Sequence, residues 1–339
     1  MAIVRHLAKD SAKFSKTAPI RKRASRSLTK VVLRLVATLF LASLVDFLVI
    51  NVLPGSPGQV ILGTQATPQR VAELNKKLGL DAPLFHQYIT WVTGLLTLNF
   101  GRSYSSGARV APDIRQALQI TLPLIVGGLV LGIAMALPLA FLIYRTSKTR
   151  ISIGITLFLD AGVSTPSFII GLVLTYIFAV RYTLLPASGF TFWSTSISGA
   201  IKSLIMPALS LGLVEAAIIS RYAKHLIEEV MNTPYVDAAR LRGRRDTWIF
   251  LHHGLRNITA PLLTVIGLEA SGLLVGAVVV ENVFGLPGLG TLLLNAVENR
   301  DLILVQDIVM LAVTVVTTIN LLVDLSYRHI QPQLRQEIL

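Results

Sequence analysis

Apolar residues along the chain fall into long runs separated by polar stretches, and the runs exceed what the core of a soluble domain uses. Six are of spanning length: approximately Val31 to Leu53, Leu118 to Tyr144, Ile151 to Val180, Ser203 to Ser220, Ile258 to Val280 and Leu302 to Leu325. At roughly 1.5 Å per helical residue the first reaches about 34 Å, against a bilayer core of about 30 Å. The fourth is marginal by that measure. The first follows a basic stretch, as a secretory signal would. It exceeds a typical signal h-region and lacks a small-residue cleavage site, so a retained anchor is expected. The pattern as a whole predicts an all-α, polytopic membrane protein with six transmembrane helices.

Between the runs, shorter elements are legible. TPQRVAELNKKLG, Thr67 to Gly79, opens on a capping residue with Pro at the first helical position and closes on Gly, which predicts a short surface helix. PLFHQYITWVTGLLTLNFG, from Pro83, is apolar and aromatic but interrupted by polar residues. It is expected along the outer interface or against the bundle, with Tyr88 and Trp91 near headgroup level. In EEVMNTPYVDAARLRGRRDTWIFLHHGLRNITAP, Glu228 to Pro261, Thr233 and Pro234 form a helix start and YVDAARLR reads as helix. Gly243 makes a turn there, and a second helix begins near Asp246.

Composition agrees with a membrane bundle: of 339 residues, 53% are hydrophobic and 14% charged. There is no cysteine, which excludes disulfides, thiolate metal sites and thiol catalysis. The net charge of +13 is decided by its distribution. With the N-terminus inside, segments 1–30, 145–150, 221–257 and 326–339 are cytosolic and hold 9, 3, 7 and 2 Lys/Arg residues; the three outer segments hold nine together, although one, 54–117, is long. The bias predicts both termini in the cytosol, and anionic membrane lipid rather than nucleic acid as the partner of the basic tail. The expected organisation is a basic cytosolic tail 1–30, a transmembrane domain 31–325 with extracytoplasmic segment 54–117 and cytosolic loop 221–257, and a cytosolic tail 326–339.

Enzyme chemistry finds little support. No GxxxxGK[ST] phosphate loop and no HExxH occurs, and His252 and His253 are adjacent, whereas a helical zinc site wants them four apart. Ser164 would need a base inside the bilayer, and all six histidines lie outside the spans. The acids inside the spans are more informative: Asp46, Asp160, Glu215, Glu269 and Asp307 interrupt apolar runs, and Arg34 is the one basic residue within the six assigned segments. Asp160, Glu215 and Glu269 fall nearest mid-membrane and are the candidate translocation path, a lining for a polar solute such as one with an ammonium group. The plainer alternative, equally open for each, is a carboxyl that ties helices together. Gly272 and Gly276 form a GxxxG, expected as a close-packing face, and prolines 123, 138, 166 and 207 are expected to kink or cap helices.

DAARLRG, Asp237 to Gly243, places two alanines and a glycine in an arginine-rich cytosolic helix, a slim profile suited to another protein's groove. It resembles the EAA motif of bacterial ABC importer permeases, EAA followed by three residues, Gly and a downstream hydrophobic stretch, with Asp in place of Glu. YVDAARLRG followed by HHGLRN is similar to the dipeptide and oligopeptide branch. VLPGSPG, LGLDAPLFHQYITW, NFGRSYSSG, STPSFIIGL and GAVVVENVFGLPGLGTLLLNAV with Arg300 and Asp301 extend the resemblance over about residues 28 to 336. Gln331, where such permeases often have Asp before Pro, and the long basic tail depart from it.

The resemblance implies a type I ABC importer permease-like bundle in a bacterial plasma (inner) membrane. It implies pairing with a homologous second permease subunit, two cytosolic ATPase subunits or domains, and an extracytoplasmic solute-binding protein. This chain is then expected to bind no cofactor and no metal, with ATP and magnesium in the partner ATPase subunits. The residues expected to couple to the ATPases are Tyr235, Asp237, Ala238, Ala239, Arg240 and Gly243. The solute is usually a di- or oligopeptide, though nickel complexes and some sugars travel through relatives. A secondary transporter or channel working without ATPases, and a purely structural subunit, are the other classes open to the chain.

Overall fold

A computed structural model describes residues 28–52, 62, 66–77, 79, 81–147 and 149–330. Most of the basic tail, residues 53–58 of the VLPGSPG exit, and the C-terminal tail with Gln331 lie outside the described residues. The described chain is helical, with one isolated bridge, between Arg102 and Arg109. Helix α1 is Leu28–Val52, α2 Pro68–Lys77, α3 Leu84–Leu96 and α4 Val110–Arg145. Next come α5, Arg150–Ser164, and α6, Ser167–Arg181. They are followed by α7, Ile197–Met231, and α8, Pro234–Leu241. Helix α9 is Asp246–Val283, with a π-helical turn at Phe250–Gly254. Two helices close the chain, α10, Leu289–Glu298, and α11, Leu302–Ile330.

Among the described residues, five helices are long and apolar enough to cross a membrane, within α1, α4, α7, α9 and α11. The expected third span departs from the sequence reading: Ile151 to Val180 is two helices, α5 and α6, bent by 107°. Thr165 between them is extended, at φ −98° and ψ 122°, and Pro166 starts α6. The cause is local, because a proline pushes the residue before it out of the helical region. The expected fourth span is far from marginal, since α7 runs 35 residues. It continues through the polar stretch after Ser220, where hydropathy falls but helical geometry persists. Prolines 123 and 138 lie inside α4 and Pro207 inside α7.

Helices α4 and α7 pack closely because glycines let their backbones meet. A Cβ on Gly132 would lie 2.6 Å from the Cβ of Glu215, and one on Gly212 would lie 3.0 Å from the carbonyl oxygen of Gly128. The GxxxG that makes this contact is therefore Gly128 with Gly132. The expected pair is half engaged: a Cβ on Gly276 would meet Leu211 at 3.3 Å, whereas nothing lies within 4 Å of one on Gly272.

Four apolar clusters follow the bundle among the described residues, the smallest joining Ile143 of α4, Leu159 of α5 and Ala217 of α7. Of the other three, the first gathers Ile120, Leu124, Leu211, Leu273 and Phe284 from α4, α7 and the end of α9. A second gathers Ala140, Ile227, Met231, Val236, Ile249 and Ile258, and seats α8. The third joins Ile114 of α4 to Leu289 of α10 and Ile308 of α11.

Candidate functional site

The hairpin between α7 and α9 is built by local sequence. Pro234 sits in the first turn of α8, where its missing N–H has no helical partner to lose. Val236 is wholly buried in the second cluster and anchors the helix, and Ala239 packs beside it. At the other end Gly243 takes φ +76°. Its N–H donates to the Arg240 carbonyl at 2.9 Å and that of Arg244 to the Ala239 carbonyl at 3.2 Å. These two bonds form a Schellman motif, which requires a left-handed residue at the glycine position.

Arg240 is held within the chain. Its Nε donates to Asp246 at 2.8 Å, Nη1 to Asp237 at 2.9 Å and Nη2 to the Tyr144 hydroxyl at 3.1 Å. The bond to Asp246 in particular raises the guanidinium pKa above its ordinary value. Of the six expected coupling residues, Ala239 and Arg240 thus turn toward the bundle. Tyr235, Asp237 and Gly243 are exposed and Ala238 is half-buried. The Tyr235 hydroxyl accepts a bond from Asn257 at 2.8 Å, so YVDAARLRG and HHGLRN touch. Leu241, which the sequence reading passed over, is 90% exposed. Its signal was an apolar residue between two arginines.

Beside the turn is a concavity lined by Ala239, Arg242, Gly243, Arg244, Trp248 and His253. The Arg244 guanidinium lies 4.4 Å from the centre of the Trp248 ring, with His252 stacked on that ring at 4.2 Å. Among the described residues, no three His, Cys, Asp or Glu side chains gather as a metal site.

The three candidate path acids do not share one environment. Asp160 is half-exposed and has Arg221 Nη1 at 3.7 Å. This corrects the expectation that none of the three acids has a basic partner in a span, because the span assigned as ending at Ser220 continues as α7 through Arg221. Glu215 is 5% exposed, and its Oε2 is sealed from solvent without a hydrogen-bond partner. Glu269, half-buried on α9, lies within electrostatic reach of it. The structure therefore brings Glu215 and Glu269 together and sets Asp160 apart with Arg221. Asp307 is wholly buried and accepts the Trp91 indole N–H at 2.9 Å.

Residues 128–336 match the family described as binding-protein-dependent transport system inner membrane component, and residues 25–125 match the N-terminal region of such components. The chain belongs to this family. The permease is 34% identical over 305 residues, 89% of this chain and 97% of the relative, to a probable peptide ABC transporter permease protein, y4tP, of Sinorhizobium fredii. It is 35% identical over 309 residues, 90% and 97% of the two chains, to the glutathione transport system permease protein GsiC of Escherichia coli (strain K12). Its fold is similar to that of the MetNI methionine ABC transporter in an inward-facing conformation. The TM-score is 0.54 at 16% identity, covering 64% of this chain and 96% of that one. The protein is thus a transport subunit and not an enzyme, a multi-pass inner-membrane component of an ABC importer in which separate ATPase subunits hydrolyse ATP.

The permease also carries polar ties that sequence reasoning did not assign. Glu281, wholly buried, accepts from the Thr121 hydroxyl at 2.5 Å and from the Gly290 N–H at 2.7 Å. A Cβ at Gly288 would run into its carboxylate, which is why the ENVFGLPGLG stretch needs glycine there. Asp301 accepts from the hydroxyls of Ser103 and Ser105 and from the Tyr104 N–H, so NFGRSYSSG docks on the end of α10. Burial, with Asp301 and Asp307 nearby, pushes the Tyr104 phenol above its usual range. Tyr88 and Trp91, expected at headgroup level, pack on Phe47 of α1 with ring centroids 5.3 and 6.2 Å away.

Proposed function

We propose that this permease carries peptides, released by an extracytoplasmic solute-binding protein, through a path it forms with a homologous second permease subunit. Two cytosolic ATPase subunits, which hold the ATP and magnesium, drive the cycle, while this chain binds no cofactor. The N-terminus, the C-terminus and α8 all face the cytosol in this reading, as the Lys/Arg bias suggests. The observation that carries the proposal is the α8 hairpin, a helix seated on the bundle by Val236 and presenting Tyr235, Asp237, Leu241 and the Gly243 turn outward. Such a projection suits a groove in a partner, and closure of the ATPases would move it together with α7 and α9. Ala238 lies along the same contact, while Ala239 and Arg240 set the height and angle of the helix. Asp160, Glu215 and Glu269 belong to the path. Peptide as the solute is supported by the relatives, one named for peptides and one for glutathione, itself a tripeptide.

The test is ATP hydrolysis by the purified importer, assembled from this chain, its partner permease, its ATPases and its binding protein. Binding protein loaded with di- to pentapeptides is expected to stimulate hydrolysis above the unloaded protein. No stimulation by any peptide in that range would refute peptide as the solute.

A further inference from the structure

Glu215 differs from the buried carboxylates Glu281 and Asp301, and also from Asp307, whose Oδ2 is likewise unpartnered but whose Oδ1 accepts from Trp91. Glu281 receives donors from Thr121 and Gly290, and Asp301 from Ser103, Tyr104 and Ser105, which is how a structural carboxylate is stabilised. Glu215 Oε2 receives none, although the residue is 5% exposed. Its stem is fixed, because Gly132 of α4 leaves a notch that the Glu215 Cβ fills. Glu269 is on α9, which packs against α7, and lies within electrostatic reach of Glu215; neither acid makes a salt bridge among the described residues. Arg221, six residues farther along α7 and so about 9 Å away along the axis, is paired with Asp160.

The pair also sits between two apolar clusters. Glu215 lies between Leu211 of the first apolar cluster and Ile219 of the second, and Glu269 between Leu262 and Leu273 of the same two clusters. Two carboxyls within electrostatic reach of each other in such surroundings need a positive charge or a proton between them. We propose that Glu215 and Glu269 form a transit site for the free ammonium group of the solute. An ammonium is compact and offers three donors, enough for two carboxylates. It is common to peptides of any sequence, so one site serves many solutes. A divalent metal fits less well, since it demands more oxygen ligands than two side chains give.

This inference rests on the peptide reading, and the experiment separates the two. Uptake of labelled trialanine is measured into proteoliposomes holding the complete importer, with assembly checked by co-purification and thermal unfolding. Glu215→Gln and Glu269→Gln keep size and hydrogen bonding but lose charge, and each is expected to slow uptake roughly tenfold or more. Glu269→Asp should retain most of it. Glu269→Lys supplies Glu215 with a permanent cation, so it should keep or raise the unfolding temperature while abolishing uptake. Trialanine uptake at the wild-type rate in the assembled amide variants, or in Glu269→Lys, would overturn the ammonium site. If Glu215→Gln fails to assemble, the half-buried Glu269 decides alone. Absence of peptide uptake by the wild-type importer would instead overturn the peptide reading.

Discussion

Gly243 has open space where a side chain would go, yet its backbone sits at φ +76°. The constraint within the chain is therefore conformational, costing a non-glycine residue about 1–2 kcal/mol, and least for Asn. Gly243→Val is expected to unwind the last turn of α8 and abolish stimulation of ATP hydrolysis by loaded binding protein, whereas Gly243→Asn should keep most of it. Equal loss in both variants would point to close approach by a partner's backbone as the constraint. This glycine was legible in the sequence because helix ends have a composition of their own. Arg240 was not: an arginine in a cytosolic loop looks free until the fold brings Asp246 and Tyr144 to it. Trp91 was half legible. An amphipathic ring suits a headgroup region and a buried carboxylate alike, and only the packing of α3 against α11 selects Asp307.

At the scale of elements, hydropathy located the membrane-crossing layers but not the helices that contain them. Helices α7 and α9 continue into polar sequence, and the break at Pro166 lies inside what hydropathy assigns as one span. Proline marked that site as a kink or cap, but not the size of the turn, 107°. The GxxxG pattern identified a smooth patch without saying which patch is used. Because the α4–α7 contact runs through Gly132, Gly132→Ala is expected to destabilise the purified protein by roughly 1–3 kcal/mol. Gly272→Ala, with nothing within 4 Å, should leave this chain's own packing unchanged. Thermal unfolding of the two variants checks the difference, and equal midpoints would contradict the packing described.

For the whole molecule, family and all-α architecture were legible because the motif fragments run nearly the length of the chain, and several of them meet in space. The pairing of acids was not legible, since it depends on which faces of α7 and α9 oppose each other. Orientation can be tested directly because the chain has no native thiol. Cysteines introduced singly at Ser27, Ser106 and Ser326 should react with an impermeant reagent from outside only at Ser106; labelling of Ser27 from outside would reverse the topology. The central claim is ATP-driven import, and the most direct measurement is peptide uptake by proteoliposomes carrying this chain and its partner permease. ATP-driven import predicts uptake when the ATPases, ATP and loaded binding protein are present, and none under a proton gradient without the ATPases. Peptide uptake driven by the gradient alone would contradict it.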